Sequence, residues 1–292
     1  MPPSFCSRQA RAHTINPAGT ATEAAHWLLI EDPTPWGEHA VEEADWYPHL
    51  QAPLQHWRTA LPDLRVQLIR RRLTQWEDEG RIRCFIARTG PDAALHTQTL
   101  ASYAALTQLD VPDRMDTPST SDALLVLTCT NGRRDACCAK WGRPVAQAAA
   151  ECHPKGAWQT SHLGGHRFAS TVLVLPVGAH YAWIDPQEVP DLVRAHQSEH
   201  LFDLSHYRGP VHSPRPVQAA CIALRIRLDV HTVQDVHGQI LTEMPNAWTV
   251  AVHLRNKVHT ARVTSTHGAT LLHSCHDGAP KPHTEWTVEW IE

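Results

Sequence analysis

Short apolar runs alternate with polar, turn-rich stretches along the chain, and the period of each run predicts its element. His26 to Ile30 (HWLLI) reads as a first strand and runs into the turn-rich EDPTPWGEH, after which a helix is expected. Arg65 to Arg70 and Arg81 to Ala87 are strand-like in β-branched content and alternation. Leu95 to Leu109 carries Leu95, Leu100, Tyr103, Ala104 and Leu106 at helical spacing, which predicts a helix. Val111 to Asp122, dense in Pro, Ser, Thr and Asp, reads as a linker. Ala123 to Thr128 is the continuous apolar run of a buried strand, and it ends in the loop CTNGRRDACC. Asp135 is placed to cap a helix over residues 136–150. The loop WQTSHLGGHRFA follows, then strands at Thr171 to Leu175 and His180 to Ile184, and a helix opened by Asp185-Pro186. A helix at Pro216 to Leu228 and strands at Trp248 to Leu254, Ala261 to Thr266 and Trp286 to Ile291 close the chain.

Strands interleaved with helices predict an α/β fold. At ~150 residues per domain, 292 residues suggest about two domains and a small third. The composition shifts place them at 1–118, 122–212 and 213–292. The first two units both open with strand, loop and helix, the pattern of a degenerate duplication. Hydrophobic residues make up 42%, ample for a core, so a wholly disordered chain is excluded. A net charge of −4 carries no basic excess that would call for nucleic acid or an anionic membrane. The longest weakly polar run, Ala169 to Ile184, is broken by Pro176, Gly178 and His180, short of the ~18 apolar residues of a membrane span. The N-terminal MPPSFCSRQARAHTINPAG has no apolar signal region, and the expectation is a soluble, cytoplasmic chain.

Histidine and cysteine change the picture. There are 22 His, so a His-x-x-x-His pair means little by itself: roughly 1.6 are expected by chance, and two occur. His196 and His200 sit in a helical pattern without cysteine nearby and read as a solvated helix face. His162 and His166 instead flank Gly164-Gly165, glycines that allow a tight loop to wrap close to a bulky group. Of eight Cys, four (Cys129, Cys137, Cys138, Cys152) fall within 24 residues, which in a chain of this size points to a metal or redox site. Cys129 and Cys138, nine positions apart across a loop, form a pair expected only ~0.2 times by chance.

Two thiolates and two imidazoles suit Zn, or an iron–sulfur cluster in which two His replace two Cys. Against four thiolates, that set lowers the negative charge of a cluster and raises its potential, roughly −150 to +300 mV against about −400 mV. Arg133, Arg134 and Arg167 would favour the reduced state or hold an anionic partner; the plainer reading is surface arginine. No G-x-G-x-x-G or G-x-x-x-x-G-K-[ST] is present, so electrons would come from a separate reductase. No carboxylate pair announces itself for glycoside hydrolysis. Cys152, Cys221 and Cys275 read as small buried hydrophobes; HSCH at His273 to His276 could bind metal, but the plainer reading is His background.

The runs LTCTNGRRDACCAKWGRP and WQTSHLGGHRFASTVLVLPVGAHYAW resemble the sucrase/ferredoxin-like family of thioredoxin-fold proteins. The tail YAWIDPQEVPDLVRAH is similar to the strand and helix that close thioredoxin-like 2Fe–2S ferredoxins. The resemblance implies a thioredoxin-like ferredoxin domain, preceded by an α/β unit and followed by a small helix-plus-strands segment. It further implies a 2Fe–2S cluster on Cys129, Cys138, His162 and His166, with Cys137 the alternative to Cys138. The implied role is one-electron transfer with a partner reductase; a zinc-binding structural module is the competing reading.

Overall fold

The computed structural model describes residues 5–71 and 80–291. Its helices are α1 (Cys6–Ala12), α2 (Tyr47–Ala60), α3 (Val111–Met115), α4 (Ala136–Cys152), α5 (Val189–Gln197) and α6 (Arg215–Leu228). Its strands are β1 (His26–Glu31), β2 (Arg65–Arg70), β3 (Ile82–Arg88), β4 (Ala94–Leu100), β5 (Leu125–Cys129), β6 (Ala157–Thr160), β7 (Val172–Leu175), β8 (Ala179–Tyr181), β9 (Tyr207–Pro210), β10 (Val236–Met244), β11 (Ala247–Leu254), β12 (Lys257–Leu271) and β13 (Lys281–Ile291).

The fold is mixed α/β, as expected. Among the described residues, nine strands form one sheet in the order β4-β3-β1-β2-β6-β5-β7-β8-β9. Its two halves repeat one plan. β1 crosses through α2 to the parallel β2, and β3 and β4 pair antiparallel on the other side of β1. β5 crosses through α4 to the parallel β6, and β7 and β8 pair antiparallel on the other side of β5. The halves join where β2 meets β6 antiparallel, Ile69 opposite Thr160.

Burial follows from strand alternation. Leu28 and Ile30 of β1 pack under α2 with Leu50, Leu54 and Trp57, whereas Val126 of β5 packs under α4 and α5 with Val145, Ala149 and Leu192. The opposite faces meet in a shared cluster that includes Trp27, Leu29, Leu125, Leu127 and Trp158. A second sheet, β10-β11-β12-β13, covers α6 through Val250, Val252 and Val263.

Several expectations need correction. Residues 94–100 form a strand, not the start of a helix over Leu95 to Leu109. β4 pairs along its whole length with β3, Ile82 opposite Leu100, and Thr97 and Thr99 suit that pleat. The helical spacing survives only as a 3₁₀ turn at Tyr103–Gln108. The loop expected from Trp158 includes a four-residue strand, β6, too short to show a period. Val111 and Met115 of α3, inside the expected linker, are buried in the first half's core. His196 is buried rather than solvated, with the Tyr181 Oη–Nε2 distance at 2.8 Å, and His200 lies beyond the end of α5. Cys152 is exposed on the last turn of α4, not buried.

Candidate metal centre

Cys129 is the last residue of β5, and its strand is buried along its whole length. Asp135 caps α4 by accepting the Cys137 N–H, which places Cys137 and Cys138 in the first helical turn. Helix and strand end are in direct contact: a Cβ on Gly142 would lie 2.0 Å from the Cys129 carbonyl oxygen. His162 and His166 lie on the loop from β6 to β7. Gly164 and Gly165 take φ of +100° and +79°, a region that side-chain-bearing residues avoid.

That loop is held from outside. The carbonyl of His162 accepts from Arg65 at 2.8 Å, that of Leu163 from the Thr22 hydroxyl, and that of Gly164 from Arg208 at 3.0 Å. Three consecutive carbonyls are therefore fixed by residues from β1's approach, β2 and β9. Burial lowers the Arg65 guanidinium to about 10, and holds the fully enclosed Arg208 well below its usual range.

The expected residues converge. Cys129 Sγ and Cys138 Sγ each lie 4.0 Å from His162 Nδ1, and Cys138 Sγ lies 3.7 Å from His166 Nδ1. The two imidazoles stack with centroids 3.9 Å apart and 13° between planes. Both cysteines are about 1% exposed, whereas the imidazoles are less enclosed, the His166 side chain at 11%. The Cys138 thiol, hydrogen-bonding to Cys129, holds the Cys129 thiol well below its usual range; burial opposes this and His162 adds to it. Cys138 is pushed up by that same bond and by burial. Burial, reinforced by His162, lowers His166 to about 3, leaving its ring neutral and able to donate a lone pair.

The arginines do not act as one group. Arg133 is exposed, Arg134 pairs with Glu38 at 2.8 Å, and Arg167 reaches His283 at 3.4 Å. Arg167 instead lines a polar cavity of about 400 Å³ with Arg65, Arg208 and Arg215, behind the His162–His166 loop. Sequence reasoning missed Arg65, Thr22 and Arg208 as supports, because side chains that anchor a carbonyl leave no local pattern. It also took Cys275 for a buried hydrophobe. Cys275 is partly exposed and joins Cys6 and Cys137 in a second sulfur cluster.

The family model described as sucrase/ferredoxin-like matches residues 17–209, more than half of the chain. The chain belongs to the sucrase/ferredoxin-like family. The match spans both halves of the large sheet and all four converging residues. No curated protein and no solved structure matches the chain.

Two thiols and two imidazoles are a donor set that both a tetrahedral ion and a 2Fe–2S cluster accept. Cys129, Cys138 and His162 alone place their donor atoms within 4.8 Å of one another, enough to hold a metal ion.

Proposed function

We propose that this member of the sucrase/ferredoxin-like family is a one-electron redox protein that carries a 2Fe–2S cluster on Cys129, Cys138, His162 and His166. The observation that supports this best is the convergence of two thiols and two imidazoles within the stretch the family match covers. Two buried thiols come from the β5–α4 corner, and a stacked imidazole pair faces them from the outside. Two thiols and two imidazoles are the donor set that a cluster ligated by two Cys on one iron and two His on the other takes. When bound, such a cluster supplies a single reversible redox equivalent at a potential above that of Cys-only ferredoxins.

The chain's own residues set the conditions. Leu127 and Trp158 keep water from the sulfur side. His162 and His166 are less enclosed than the two cysteines and are the donors nearest solvent. Arg65, Thr22 and Arg208 fix the imidazole loop, so little reorganisation accompanies electron transfer. The electron donor is a separate reductase that docks over the imidazole side. No helix among the described residues is long and apolar enough to cross a membrane.

A second reading has its own support. Sulfur–nitrogen separations of 3.7–4.0 Å are close to those around one tetrahedral zinc, with Zn–S of ~2.3 Å and Zn–N of ~2.0–2.1 Å. Electron paramagnetic resonance of the dithionite-reduced protein separates the two. The redox reading expects a one-electron signal with imidazole nitrogen couplings, lost in His162→Ala. A protein that gives no paramagnetic species on reduction would be the zinc-holding module instead.

A further inference from the structure

A second group of sulfurs lies beside the first and shares none of its donors. Cys6 opens α1, Cys137 sits in the first turn of α4, and Cys275 lies in the connection from β12 to β13. Their Sγ atoms form a triangle with edges of 3.3 Å (Cys137–Cys275), 3.6 Å (Cys6–Cys137) and 3.7 Å (Cys6–Cys275). Four thiolates or fewer around a tetrahedral zinc at ~2.3 Å stand about 3.8 Å apart, so the triangle needs to open by only a few tenths of an ångström. A carboxylate oxygen of Asp135 lies within 4.8 Å of all three sulfurs and stands at the fourth corner.

The surroundings are those of a supported site. Asp135 is fully buried and accepts the backbone N–H of Cys137 and of Cys275 and the Ser274 hydroxyl, each at 2.8 Å. Three of its roughly four acceptor positions are thereby used and one is left. The Ser7 N–H points to the Cys137 sulfur and the Cys6 N–H to the Cys275 sulfur, the kind of outer support that orients metal ligands. Cys6 and Cys137 are 0% exposed, packed against Phe5, Trp141 and Leu272, while Cys275 reaches the surface and gives an entry path. Cys6, Cys137 and Cys275 lie more than 130 residues from one another along the chain, and both Cys6 and Cys275 fall outside the residues of the family match.

We infer that Cys6, Cys137, Cys275 and Asp135 form a zinc site that staples the N-terminal helix and the β12–β13 connection to the first turn of α4. Binding displaces the thiol protons and forms three Zn–S bonds and one Zn–O bond, with no change of oxidation state. Because Cys137 adjoins Cys138, the staple also braces the corner that carries the first site.

The test uses the full chain. Zinc and iron per chain are counted for the wild type and for Cys6→Ser and Cys275→Ser, which leave every donor of the first site in place. One zinc per chain is expected in the wild type, falling at least tenfold in either variant. In the wild type itself, alkylation followed residue by residue should slow at least tenfold at Cys275 when zinc is added and recover with a chelator, with the exposed Cys152 as the unaffected control. Equal labelling of Cys275 with and without zinc, or zinc per chain unchanged in both variants, would overturn the assignment. A chain that lacks iron yet keeps this Cys6- and Cys275-dependent zinc would count against the cluster proposal and leave this site standing.

Discussion

The two halves of the large sheet share one topology and differ in what their corners hold. In the first, β1 ends at Glu31 and turns through Asp32, which takes the Thr34 and Trp46 donors and packs the corner shut with Trp36 and Trp46. In the second, β5 ends at Cys129 and turns through a loop to the thiols of α4. Two equally buried cysteines make the contrast plain. Cys84 of β3 sits among hydrocarbon, and burial pushes its thiol up to about 12. Cys129 is as deeply enclosed, yet Cys138 and His162 hold its thiol well below the usual range. Burial alone makes a cysteine inert; chemistry begins when a second donor stands beside it.

The largest expected effect breaks that contrast directly. Cys129→Ser should remove essentially all iron from the chain, whereas Cys84→Ser should leave iron per folded chain unchanged, both measured by metal analysis of purified protein. Next, Trp57→Ala empties the first half's core, where Trp57 is 2% exposed. It should cost ~3–5 kcal/mol in chemical unfolding and still leave the iron content of the folded fraction intact. Loss of iron in proportion to lost stability would mean that the halves are not separable.

A pH effect of similar size belongs to the second half. Burial lowers His196 to about 4 against an ordinary 6.5, so as pH falls the unfolded chain takes the proton first. Stability present above pH 6.5 is lost on the way down to about pH 4. For the metal-free chain His196 contributes on the order of 3 kcal/mol to that fall, and His196→Gln should flatten the unfolding-versus-pH curve across this window. A smaller effect tests the traffic between the halves. Arg65→Met, on β2 of the first half, removes the charged donor to the His162 carbonyl. It should cost ~1.5–3 kcal/mol and speed loss of the metal, read by the rate of transfer to a chelator.

Much of this was legible in the chain. Asp135 as a helix cap and Cys129 at a strand end follow from local chemistry: a short acceptor before an apolar helix, and a continuous apolar run before a polar loop. His162 and His166 stood out through the glycines between them, whose positive φ the structure bears out. What stayed hidden is non-local. β4 is a strand because β3 lies beside it, and no period within Leu95 to Leu109 could show that. Arg65, Thr22 and Arg208 act on carbonyls about 45 to 140 residues away. The approach of Cys6 to Cys275 stayed hidden because contacts between the two ends of the chain leave no spacing to count.

The central claim is that the second half's corner holds a redox cluster. Protein purified without oxygen, with iron and acid-labile sulfide counted and the visible spectrum recorded before and after dithionite, tests it most directly. The account predicts about two irons and two sulfides per chain and a visible absorbance that dithionite bleaches. A colourless chain without iron, with zinc bound through Cys129 and His162, would contradict it.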